Sequence, residues 1–165
     1  MNISETMEKY SKPMRFLHWS TAMIIMTLLA VGFYMAGIDP DASDKYDLYP
    51  LHKAFGMIAL LLVMIRLPVR AKGKVPAPAA GLQKWEHNLS HLVHIGLYLA
   101  MVSMTVSGYF MNSTYQYVSG VDMFGLFSVP DITAKSEYWN GICHEIHSFT
   151  AWAFLVLLGL HLAGV

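Results

Sequence analysis

A chain of 165 residues that is 55% hydrophobic and only 13% charged, against about 25% charged in a soluble domain, has too few polar residues for an ordinary water-soluble fold. Its eleven basic and eleven acidic residues cancel, which excludes a basic nucleic-acid-binding face and an acidic tail. The single cysteine, Cys143, excludes an intrachain disulfide and any multi-cysteine iron–sulfur or zinc centre.

A spanning helix needs roughly 20 mostly apolar residues, and four such stretches, separated by short polar segments, predict an all-α integral membrane four-helix bundle. Residues 1–165 are expected to form one transmembrane domain. The first span, about 16–38, contains no charged residue and follows a polar leader with Lys9, Lys12 and Arg15. It is too long for a signal-peptide core and no small-residue cleavage motif closes it. The second, about 48–67, has Pro50 in its first turn, where proline is tolerated, and closes at Arg66 and Pro68. Its purely apolar part is too short to cross alone, so His52 and Lys53 count into the span. A Pro/Ala/Gly linker at 75–81, which cannot continue a helix, precedes the third span, about 89–111. Residues 112–141 form the longest loop, whose Phe124 and Phe127 suit the membrane interface. The fourth span, about 142–165, stops at Val165 inside an apolar run with no basic anchor, the pattern expected of a chain cut short.

Eight basic residues (Lys9, Lys12, Arg15, Arg66, Arg70, Lys72, Lys74 and Lys84) fall on the side of the N-terminus, and three (Lys45, Lys53 and Lys135) on the other. Positive charge is retained on the cytoplasmic side. The N-terminus is therefore expected to be cytoplasmic, with the C-terminus returning to the same side.

Eight histidines occur, and most fall inside or at the edge of the apolar runs. An ionisable side chain at membrane depth is costly unless it finds a partner, and neutral histidine is the commonest metal ligand. The competing explanation is a helix-end histidine resting among headgroups. Depth and phase favour the metal reading. His18 opens the first span and lies near the inner side, whereas His52 opens the second and lies near the outer side. The fourth span carries His147 near its outer end and His161 near its inner end. These two are 14 residues apart, about 21 Å along the axis and about 40° short of four turns, so they face nearly the same way. Two bis-histidine levels result, His52 with His147 and His18 with His161. Haem iron takes two axial imidazoles, and bundle cores are usual places for such cofactors. Structural zinc wants four ligands, and neither level offers them.

His87, His91 and His94 lie at i, i+4 and i+7 near the inner end of the third span. They are open to three readings: iron ligands, groups touching haem propionates or a quinone, or a hydrated interfacial stripe. His144 points away from His161 and is expected at the interface. Gly32 and Gly56 are candidates for close approach of a bulky ring. Arg15, Lys12 and Lys53 are candidates to pair with propionates, or are ordinary snorkelling charges. The methionines are expected to fill core and lipid-facing positions.

Several segments together carry a resemblance: Tyr10-Ser11, Leu17-His18-Trp19, Leu51-His52-Lys53-Ala54-Phe55-Gly56, Arg66-Leu67, His91-x-x-His94, Glu145-Ile146-His147 and Gly159-Leu160-His161. Over nearly its whole length the chain resembles the bacterial cytochrome b561 family. The resemblance implies a four-helix inner-membrane protein with two haem b groups held by His18, His52, His147 and His161, with His91 and His94 outside the ligand set. It also implies electron exchange with ubiquinone, in one type from superoxide on the periplasmic face. The first outer loop carries Asp39, Asp41, Asp44 and Asp47 against Lys45, a field that repels an anion, while Lys53 and Lys135 offer a small positive patch.

The expected function is thus quinone-linked transmembrane electron transfer from a periplasmic donor, superoxide being one candidate. Membrane lipid and quinone are the expected partners, with no nucleic acid. The alternatives are a cytochrome b anchor subunit of a larger dehydrogenase or hydrogenase, docked through residues 112–141, and a haem-free metal-ion transporter.

Overall fold

The computed structural model describes residues 10–39, 42–73, 76, 81 and 83–164. Lys9, Asp41, Lys74, Val165 and most of the 75–81 linker lie outside the described residues, as do the side chains of Asp44 and Lys45. Four helices are each long and apolar enough to span a membrane: α1 (Lys12–Gly37), α2 (Ser43–Lys72), α3 (Lys84–Thr114) and α4 (Glu137–Gly164). A two-stranded antiparallel hairpin, β1 (Val121–Asp122) and β2 (Ser128–Val129), lies between α3 and α4.

Each helix overruns its apolar run at the polar ends, because caps and headgroup-level residues extend it. Ser11 accepts a hydrogen bond from the Met14 amide at the start of α1. At the start of α3 the Gln83 amide donates to Glu86 in a reciprocal capping box. The second helix differs most from expectation. It begins at Ser43, so Pro50 sits in its interior, and it continues past Pro68 to Lys72. Each proline removes one amide donor without ending the helix, and Arg70 and Lys72 in the last turn complement the C-terminal end of the dipole.

The helices pack in sequence, α1 on α2, α2 on α3 and α3 on α4, the last contact being the most extensive. Gly96 of α3 makes that approach close: a Cβ there would lie 2.9 Å from Leu157 of α4. The outer helices α1 and α4 meet through side chains, Phe33 and Trp152 stacking edge to face at 4.8 Å. Leu29, Val63, Ala100, Met101 and Phe154 form a buried cluster drawn from all four helices. Phe16, Leu61, Leu92 and Leu162 stand on the outside, as expected where the solvent is lipid.

Residues 115–136 fold back over one end of the bundle. The Tyr109 hydroxyl donates to the Pro130 carbonyl (2.6 Å) and the Asn112 amide to the Gly120 carbonyl (3.0 Å). Asp131 accepts from the Gly120 amide and pairs with Lys135 at 2.6 Å. At the hairpin tip Phe124 packs on Phe55 of α2, with ring centroids 5.2 Å apart. This segment caps the level of His52 and His147.

Candidate functional site

Each helix carries two of the residues that build the site, 14 positions apart: His18 and Gly32 on α1, His52 and Arg66 on α2, His94 and Gly108 on α3, His147 and His161 on α4. Because neighbouring helices are antiparallel, these eight residues fall into two layers of four. One contains His18, Arg66, His94 and His161; the other contains Gly32, His52, Gly108 and His147. On α4, Phe154 lies midway between the two and belongs to the buried cluster that separates them.

In the second layer the rings of His52 and His147 have centroids 6.5 Å apart at an interplanar angle of 75°. In the first, His18 and His161 stand 6.3 Å apart at 74°. A metal bound about 2 Å from one nitrogen of each of two opposed imidazoles puts their centroids roughly 6 Å apart, so both pairs match a two-imidazole axial set. His94 and His161 are closer, at 5.2 Å, too near for two imidazoles in line on opposite sides of a metal. Among the described residues no three His, Cys, Asp or Glu side chains converge as a metal site.

The surroundings fit axial ligation. His147 Nδ1 lies 3.0 Å from the Met104 carbonyl and 3.2 Å from the Ser107 hydroxyl. A carbonyl only accepts, so Nδ1 carries the hydrogen and Nε2 keeps a lone pair for a metal, the usual arrangement of a ligating histidine. His52 Nδ1 and His161 Nδ1 are buried and have no protein partner. A glycine stands beside each ring of the His52–His147 pair. A Cβ on Gly32 would meet His52 Cε1 at 3.4 Å, and one on Gly108 would meet His147 Cε1 at 3.1 Å.

Arg66 dominates the other layer. Its Nη2 donates to His18 Nδ1 at 2.8 Å, its guanidinium lies 5.3 Å from the Tyr98 ring centroid, and its Nε is buried without a partner. His94 is anchored by its Nδ1, which donates to the Ser90 carbonyl at 2.6 Å.

The remaining sequence candidates are placed as follows. His87 and His91 are exposed, so of the three histidines on α3 only His94 joins the layer. Arg15 and Lys12 are exposed at the start of α1. Lys53 is half-buried within electrostatic reach of Asp131 and Lys135. His144 is exposed, 3.9 Å from Glu145. Nothing would meet a Cβ on Gly56 within 4 Å. An apolar cavity of about 420 Å³ opens between α1 and α2, bounded by Ile24, Leu28, Leu51, Phe55 and His52. Sequence reasoning passed over Gly108 and the part Arg66 plays, although the spacing of 14 that singled out His147 and His161 also selects both.

The sequence profile of the prokaryotic cytochrome b561 family matches residues 9–165. Two Escherichia coli K12 proteins are similar over most of the chain. Cytochrome b561 homolog 2 is 24% identical, covering 98% of this chain and 85% of its own length. Cytochrome b561 homolog 1 is 25% identical, covering 94% and 86% respectively.

Proposed function

The chain belongs to the prokaryotic cytochrome b561 family, as a multi-pass, haem b-binding electron-transfer protein of the bacterial inner membrane, and from that premise we propose that it holds two haems in line across the bilayer. His52 and His147 would hold the outer haem, and His18 and His161 the inner one. The observation that carries this reading is the pair of ring separations, 6.5 and 6.3 Å, each the span of two imidazoles about one iron. Haem supplies reversible one-electron chemistry when bound.

The protein's part is to hold and tune. Met104 and Ser107 fix the ring of His147, Gly32 and Gly108 give the outer imidazoles room, and Phe154 with its neighbours keeps water out of the interval between the levels. The excess of basic residues on the side of the N-terminus supports a cytoplasmic N-terminus and a periplasmic hairpin. Electrons pass between a periplasmic donor and membrane ubiquinone. The cavity beside His52 supports quinone exchange, since its lining is almost wholly apolar. Superoxide is a candidate donor at the outer face, where Lys53 and Lys135 supply positive charge and Asp131 offsets it. One observation favours the anchor-subunit reading as a second role: Tyr117 and Leu126 of the outer segment are 84% and 82% exposed, a surface suited to a partner protein.

Single alanine substitutions at the four histidines test the assignment. Haem per chain from reduced-minus-oxidised spectra should fall from two to one in every case. His52→Ala and His147→Ala should lose the same spectral component, and His18→Ala and His161→Ala the other. Loss of the same component in His18→Ala and His52→Ala would overturn the pairing.

A further inference from the structure

Arg66 stands where its own hydrogen bond and an iron bound to His18 exclude each other. A guanidinium only donates hydrogen bonds, so its contact with His18 Nδ1 at 2.8 Å uses that atom's lone pair and leaves the ring hydrogen of a neutral imidazole on Nε2. If iron bound Nε2, the hydrogen would have to sit on Nδ1, where it would face another donor. If iron bound Nδ1, metal and guanidinium would contend for one lone pair. In either geometry Arg66 lets go of His18 when the inner level loads. The freed cation then has few alternatives. It lies against the Tyr98 ring with a buried, unpartnered Nε, and no carboxylate of a described residue pairs with it. A permanent charge in this setting demands an anion, and haem b arrives with two carboxylates.

Resting on the two-haem reading above, we infer that Arg66 is the cofactor-recognition residue of the inner site: with iron on the His18 imidazole, its guanidinium would pair with a haem propionate. Arg66 therefore selects for a haem with free acid groups at the inner level. The other layer holds no arginine: Gly32 and Gly108 stand beside its histidines, and its nearest cation, Lys53, is shared with Asp131.

The test is haem titration of the haem-depleted full chain in lipid nanodiscs, comparing haem b with its dimethyl ester. A His52→Ala background leaves only the inner level to load, and a His18→Ala background only the outer one. The inner level should prefer the free acid by about 10- to 100-fold, the range of a charge-assisted hydrogen bond, and the outer level should prefer it less. Arg66→Met should abolish the inner preference, and Arg66→Lys should retain part of it. Outer-level titration of the same Arg66 variants in the His18→Ala background reports whether they are folded. An unchanged preference in Arg66→Met, or faster and tighter loading with the preference intact, would mean that Arg66 only competes with iron, and would overturn this inference alone. Failure of His18→Ala to remove any haem would overturn the pairing beneath it as well.

Discussion

Gly108→Ala is the sharpest test of the outer layer, because the structure fixes both the size and the address of the effect. The new methyl would lie 3.1 Å from His147 Cε1 and 3.3 Å from Nδ1, so the imidazole must retreat by a few tenths of an ångström. That ring is tied to the same helix by the Met104 carbonyl, 3.0 Å from Nδ1, and retreat from α3 lengthens or breaks the bond that fixes its ring hydrogen. Overpacking of this kind costs about 1–3 kcal/mol. Replacing a helical glycine by alanine returns up to about 1 kcal/mol to the helix as a whole. The two effects act on different observables. Outer-haem affinity should fall by about 5- to 150-fold, the equivalent of about 1–3 kcal/mol, while the helix itself becomes no less stable. Gly32→Ala is the matched control, since its methyl would make only an ordinary contact with His52 at 3.4 Å, and it should keep the outer haem. Haem per chain and the temperature of haem release, followed by absorbance, measure both variants. Retention of two haems with unchanged heat resistance in Gly108→Ala, or equal loss in Gly32→Ala, would refute the cradle argument.

Two further expectations concern the interval between the layers and the outer segment. Phe154 is 4% exposed at the centre of the buried cluster, so Phe154→Ala should lower stability by about 3–5 kcal/mol. Thermal unfolding in detergent checks this, with both haems still bound at low temperature. The Asp131 carboxyl is held below the usual carboxylate range, first by its hydrogen bond from Lys135 and further by the Gly120 amide. The sign follows from that depression: the tie is at full strength above the ordinary carboxylate pKa and is lost as pH falls through the lower folded value. The protection of residues 118–135 against hydrogen exchange, taken relative to the intrinsic rate at each pH, should therefore be constant around neutrality and fall only in acid, and Asp131→Asn should lower that protection at neutral pH and remove its acid dependence.

Much of this architecture was legible because lipid imposes simple rules. Four apolar runs became four helices, and the phase of His147 against His161, read at 100° per residue, brought each opposite the histidine that depth assigned to it. What was missed followed from local chemistry that periodicity does not carry. Pro50 was expected in a first turn, but the polar residues before it continue the helix, since one missing amide does not stop a helix flanked by good turns. The same lengthening turned Arg66 from a closing charge into a side chain reaching His18. On α3, His91 and His94 share a face by simple helical phase, yet only His94 lies against a ring of α4, and residue spacing alone does not say which of two such neighbours meets the facing helix. Gly56 and Gly32 looked alike in sequence, and only the neighbour across the interface separates them.

The repeated spacing of 14 explains why two sites of different character fit in one small bundle. Four helices each place one residue in each layer, so the separation of the layers is set by helical rise, about 21 Å, rather than by any loop. α4 supplies a histidine to both, which makes one rigid helix the ruler between them. The other three helices then differentiate the ends. In the outer layer α1 and α3 contribute glycine, which leaves room beside His52 and His147. In the inner layer the same two helices contribute His18 and His94, and α2 exchanges a histidine for Arg66. The outer site is thus shaped chiefly by steric allowance and the inner one by a fixed positive charge.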